Sequence, residues 1–120
     1  MLKEKLETLS KQHPAYSEAI LAVIDEYKKN PSKSIISGHD FRKIKGFEDK
    51  LHQIDVAHSI LGQEALLKTV YRVIDAKGLN LSQDFNSYNE LQDKISDELK
   101  EKINTLEVFP VPHYVRNFDI

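Results

Sequence analysis

Tyr16, Ala19, Ile20, Val23, Ile24 and Tyr27 stand at i, i+3, i+4, i+7, i+8 and i+11, one apolar stripe on an otherwise polar segment. A stripe of this period lies along one side of a helix, and such a helix is stable only when another element covers that side. Its limits are written beside it. Pro14 suits a first helical turn, where its missing N–H would be unpaired in any case, and Lys28-Lys29-Asn30-Pro31 places cations at the negative end of the helix dipole before a proline that blocks continuation.

The same period recurs elsewhere. Leu2, Leu6 and Leu9 predict a helix that stops at His13-Pro14, and Phe47, Leu51, Ile54, His58 and Leu61 repeat by four and three. Gly62 then bends or divides a stripe that Leu66, Val70, Val73 and Ile74 continue to Lys77-Gly78. Ser87-x-x-Glu90 has the spacing of a capping box, and Tyr88, Leu91, Ile95, Leu99, Ile103 and Leu106 follow as the longest stripe in the chain. Between Pro31 and Gly46 only a loop with one helical turn near Asp40 to Ile44 is expected. Four or five one-sided helices bury their stripes by packing around a shared axis. The expectation is an all-α, antiparallel four- to five-helix bundle over residues 1–107.

Residues 108–120 differ in kind. Two prolines one residue apart in Phe109-Pro110-Val111-Pro112 exclude a helix and predict an extended segment. With His113, Tyr114, Val115, Phe118 and Ile120 it is also one of the most aromatic parts of the chain, so it either folds back on the bundle or recognises a partner. A chain of 120 residues is long enough for one core without staples, and the absence of cysteine removes disulfides and thiolate chemistry together. The first residues lack the apolar run of a leader, and the longest mostly apolar run, Ala19 to Ile24, is too short to span a bilayer. A soluble, cytoplasmic protein is expected.

Charge is unevenly placed. Lys28 to Lys50 carries seven Lys/Arg against three acids, and Asp84 to Glu107 carries seven acids against three Lys. Arg42, Lys43 and Lys45 with Phe41 and Phe47 could meet phosphates and bases, but the net charge of −2 disfavours nucleic acid as a main partner. Glu48, His52, Asp55 and His58 would share one helix face and offer metal-ligand atoms, the basis of an alternative reading as a metal-dependent bundle enzyme, although a second helix contributes no matching pair. His39-Asp40 resembles the doublet of metal-dependent phosphohydrolases, which need an upstream His and a downstream Asp, and nothing in the context of His13 and Asp75 or Asp84 singles them out for those places. No serine sits at a nucleophile elbow and the four glycines form no phosphate loop. No cofactor is expected.

The stretch His13-Pro14-Ala15-Tyr16-Ser17-Glu18-Ala19-Ile20-Leu21 resembles the acid-Pro-x-Tyr-x-x-Ile opening of the second helix in the small bacterial immunity proteins of class II bacteriocins. The helical order and the proline-aromatic end resemble that family as well. The resemblance implies a non-enzymatic four-helix bundle whose last part selects a bacteriocin–receptor complex. The chain is longer and more acidic than is usual there, which suits a second class, the immunity partners of polymorphic or contact-delivered toxins. Either way the implied function is protective binding of a cognate toxin, with Asp93, Asp97, Glu98 and Glu101 supplying charge and Phe109, Pro110, Pro112, His113, Tyr114 and Phe118 the anchors of the tail. A phage or regulatory adaptor for another host protein has the same signature.

Overall fold

The computed structural model describes residues 2–119; Met1 and Ile120, the outer ends of the expected bundle and tail, lie outside them. Helix α1 (Leu2–Gln12), a 3-10 turn (Pro14–Tyr16) and α2 (Ser17–Lys29) are followed by strand β1 (Ile35–Ser37), the short α3 (Gly38–Phe41) and α4 (Leu51–Gln63). Strand β2 (Leu67–Asp75), α5 (Tyr88–Lys94), α6 (Asp97–Asn104) and β3 (Val108–Arg116) complete the chain. The all-α bundle is therefore wrong. The fold is mixed, with an antiparallel three-stranded sheet in the order β1-β3-β2. Among the described residues no helix is long and apolar enough to cross a membrane.

The first correction is β2, which the period of Leu66, Val70, Val73 and Ile74 had assigned to a helix. Its nine residues pair with all nine of β3, from Leu67↔Arg116 to Asp75↔Val108. Along it Leu67, Val70, Val73 and Ile74 are buried while Lys68 and Thr69 are exposed, a three-to-four spacing that imitates a helix. The cause is that the strand serves two cores. Leu67 joins the large cluster of α1, α2 and α4 residues, including Leu9, Ile20, Tyr27 and Leu61, whereas Val73 joins a smaller one with Phe85, Leu91, Ile95 and Val108. The long β2–β3 ladder links the two, and the molecule is correspondingly elongated, 47 × 27 × 25 Å. On the free side of β2 the chain doubles back after a turn at Gly78 (φ +84°), where Asp75 accepts from the amides of Lys77 and Leu79; Phe85 then exchanges backbone bonds with Tyr71.

The second correction concerns the expected tail, which is the central strand. Two prolines in a central strand conflict with the need for ladder donors, and the register resolves the conflict. Asn117 N–H donates to Leu66 O and Arg116 N–H to Ser34 O. By alternation, the odd-numbered amides of β3 face β2 and the even-numbered ones face β1. Pro110 and Pro112 are even, so neither removes a bond to β2. On the other side β1 is only three residues long and reaches no further than Ser37↔His113. The prolines thus occupy the half of β3 that has no neighbour there, and they blunt an edge that would otherwise invite another strand. Gly38 follows β1 at this point; a Cβ there would lie 3.3 Å from both Cγ and O of Pro112, a tight contact that a glycine avoids.

The third correction is the long acidic helix, which is two helices. Ser87 caps α5 as the sequence suggests, accepting from Glu90 N–H, while the Glu90 carboxylate reaches back to Asn86 N–H. Ile95 is extended, and Ser96 caps α6 by accepting from Leu99 N–H. Helices α4 and α6 both end in a paired reverse bond, Leu66 N–H to Leu61 O with Ala65 N–H to Gly62 O, and Glu107 N–H to Lys102 O with Leu106 N–H to Ile103 O. Such a motif needs a left-handed residue, usually glycine, yet Ala65 (φ +57°) and Leu106 (φ +61°) fill the position here.

Candidate functional site

The half-strand without a β1 neighbour forms one wall of a cleft of about 350 Å³. Phe109, Pro110, Val111, Pro112 and Tyr114 come from β3, Leu51, Ile54, Asp55 and His58 from the facing side of α4, and Gly38, His39, Phe41 and Arg42 from α3 and its end. Because β1 stops at Ser37, no strand supplies donors to the carbonyls on this side of Pro110 and Pro112. The walls are mainly apolar and the polar groups few, the usual make-up of a ligand pocket.

His58 is the unusual wall residue. Its ring stacks on Tyr114 (centroids 3.9 Å apart, planes 11° apart) and meets Phe41 edge-on at 4.4 Å. It is 7% exposed, and both ring nitrogens are buried with no hydrogen-bond partner. Burial pushes its imidazole down to about 4, so at neutral pH it is an uncharged aromatic ring. Behind it Tyr27 donates to Tyr114 O at 2.6 Å and touches Phe41 and Phe118 through ring contacts, with burial holding its hydroxyl well above the usual phenol range. Burial also raises the Tyr114 hydroxyl. This aromatic group forms the inner wall.

A second hollow, about 710 Å³, adjoins the first and shares His39, Arg42 and Phe109 with it. Its other cations are Lys43, Arg72 and Lys77, and its acids Asp40 and Asp75. Arg72 holds Asp84 through two hydrogen bonds, which keep that carboxyl below the usual carboxylate range, and Lys43 lies 3.9 Å from Asp40. Among the described residues Arg42 and Lys77 make no ion pair. His113, at the floor, is held below its ordinary value by burial although its Nδ1 lies 3.0 Å from Val111 O.

The residues expected to bind a partner fall into two groups. Phe109, Pro110, Pro112 and Tyr114 line the cleft, His113 the second hollow, and Phe118 packs on the large core. None of these six stands free as a tail anchor. Asp93, Asp97, Glu98 and Glu101 are exposed on α5 and α6; only Glu98 is ion-paired, to Lys102 at 3.3 Å. At the end of α6 Leu106 is 73% exposed in its left-handed conformation, a feature that the sequence reading counted as core.

The alternative metal set does not assemble. Glu48 precedes α4 and accepts from Gly46 N–H, His52 packs edge-on against Tyr16, and His58 is sealed among rings, leaving Asp55 at the cleft. The His39-Asp40 doublet sits between the hollows, with Asp75 committed to its turn and Asp84 to Arg72. Among the described residues no three His, Asp or Glu side chains are placed to hold one metal ion. No family model, curated protein or solved structure matches the chain.

Proposed function

We propose that this is a non-enzymatic, cytoplasmic binding protein of the immunity or antitoxin type, which protects a cell by engaging a cognate toxin or bacteriocin–receptor complex. The observation that carries the reading is the corner built by α6. Asp97, Glu98 and Glu101 are exposed along this helix, and Leu106 projects at its end. Although Lys100 and Lys102 stand on the same helix and Lys102 pairs with Glu98, Asp97 and Glu101 make no ion pair among the described residues, and an exposed leucine at the end of such a helix suits docking to a basic protein, in which the acids speed encounter and the leucine supplies buried area. The left-handed backbone adds to the argument. Stability alone would favour glycine at position 106, so an exposed leucine there costs the fold without helping its core.

The tail anchors of the sequence reading move accordingly. Tyr114 and Phe118 serve the core, and recognition passes to the α6 corner. The test is protection from the toxin encoded beside this chain's gene, measured as cell survival and as complex formation. Reversing Asp97 and Glu101 to lysine while changing Leu106→Gly should abolish both, with the far-ultraviolet spectrum unchanged. Full protection by that variant would remove the proposed surface.

A further inference from the structure

We propose that the cleft and the adjoining hollow form one binding site for a nucleoside phosphate, with the base in the aromatic cleft and the phosphate against Arg42 and Lys77. The two hollows share His39, Arg42 and Phe109 as lining residues, so the proposed ligand reaches from one to the other past these three side chains, where β1 has ended. At about 350 Å³ the cleft lies within the roughly 300–1,000 Å³ range of small-ligand pockets. Its accessible walls are the half-buried Phe109, Pro110, Pro112 and Tyr114, one face of Tyr114 being covered by His58 and Phe41 lying behind them, and on such rings a planar base can lie.

The polar groups fit the edge of a base better than an aliphatic ligand. Among the described residues the side chain of Asp55, which lines the cleft, makes no hydrogen bond or ion pair, and its carboxylate can accept from a ring N–H or an amino group. The strand edge at Pro110 adds carbonyl acceptors and no donor. His58, whose two ring nitrogens are buried without partners, lies in the same wall, and His39 at the rim adds a second imidazole able to donate and accept. Buried polar atoms are normally satisfied, and one that is not, beside a cavity, signals a missing partner. A phosphate in the second hollow meets Arg42 and Lys77, the lining cations that make no ion pair among the described residues, while Lys43 and Arg72 add field despite their bonds to Asp40 and Asp84. An aromatic slot alone would take many ligands. The slot with unpaired cations beside it selects an aromatic anion.

Amide NMR titration of the intact protein tests this with adenosine monophosphate and uridine monophosphate, each against its nucleoside and against inorganic tripolyphosphate. The expected result is saturable shifts confined to residues 38–43, 54–58, 77–78 and 109–114, with a nucleotide bound at least about tenfold more tightly than its nucleoside or tripolyphosphate. Arg42→Gln, on an exposed side chain, should erase the advantage of nucleotide over nucleoside while leaving the rest of the spectrum in place. Tripolyphosphate binding as tightly as the nucleotides would reduce the site to a cationic surface and overturn the proposal. So would the absence of saturable shifts up to about 10 mM ligand. A single-stranded hexanucleotide without terminal phosphate should bind no better than a monophosphate; tighter binding would reassign the groove to a nucleic-acid strand. Because Arg42 is not part of the α6 corner, failure here leaves cell protection intact, and failure of protection leaves these titrations unaffected.

Discussion

Replacing His58 by phenylalanine should make the protein more stable, and much less sensitive to acid. The native imidazole stacks on Tyr114, where a benzene ring can keep the same contacts, and its two nitrogens are buried without partners. Leaving such a group unpaired costs about 1–3 kcal/mol, so the variant gains on the order of 1 kcal/mol at pH 7.5 after some strain from the larger ring. The pH term is larger. Burial lowers the folded-state value from 6.5 to about 4, so between these limits the unfolded chain binds a proton that the folded chain refuses. Stability is therefore fully present above pH 6.5 and falls as pH drops toward 4. The whole gap is worth about 3 kcal/mol, and about 2 kcal/mol of it is lost by pH 5. Set against total stabilities of about 5–15 kcal/mol, that is a large share. Urea unfolding of wild type and His58→Phe at pH 7.5 and pH 5 isolates the term, because the acid response of Asp84 and His113 cancels between the two proteins. The difference should widen by about 2 kcal/mol at the lower pH. Parallel losses in the two proteins would refute a buried, unpartnered histidine.

Ala65→Gly and Leu106→Gly should each raise the unfolding midpoint, by about 0.5–1 kcal/mol in chemical denaturation, since glycine removes the left-handed penalty at both helix ends. Lowered stability in both would contradict the assigned backbone. Tyr27→Phe deletes the 2.6 Å bond to Tyr114 O and should cost about 1 kcal/mol in the same assay, with a neutral result removing that bond from the account.

Much of the helical layer was legible. The stripes of α1 and α2, that of α4 from Leu51 onward though not Phe47, which lies before the helix, the proline at the start of the second helical segment and the Ser87 cap appear where the residue pattern places them. What failed was the inference from period to helix between Leu66 and Ile74. Apolar residues at intervals of three and four were read as one helical face, whereas they record a strand handed from one core to another. Composition held the better signal, because Thr69, Val70, Tyr71, Val73 and Ile74 are β-branched or aromatic and Gly78 marks the turn that follows. At Ser96 a similar signal lay unread: serine followed by Asp97 and Glu98 is a helix start, and it divides the acidic stripe.

The site was hidden for a different reason. Proline disfavours a central strand in general, so Pro110 and Pro112 point to an extended tail packed on a bundle and not to a sheet, but the rule applies to each side of a strand separately. Spaced by two, both prolines put their missing donors on the same side, and that side is free because β1 ends at Ser37. One sequence feature thus satisfies β2, blocks a fourth strand and leaves room for a cleft. Long-range pairing fixes which side is free, and no local pattern encodes it. Hence Asp55 and His58 were noticed for the wrong chemistry, as ligands along one helix, and Arg42 only as part of a basic run. The pairing of β3 is what brings all three to one cavity. A substitution that lets β1 extend past Ser37 along Pro112 should close that cavity while leaving the two cores as they are.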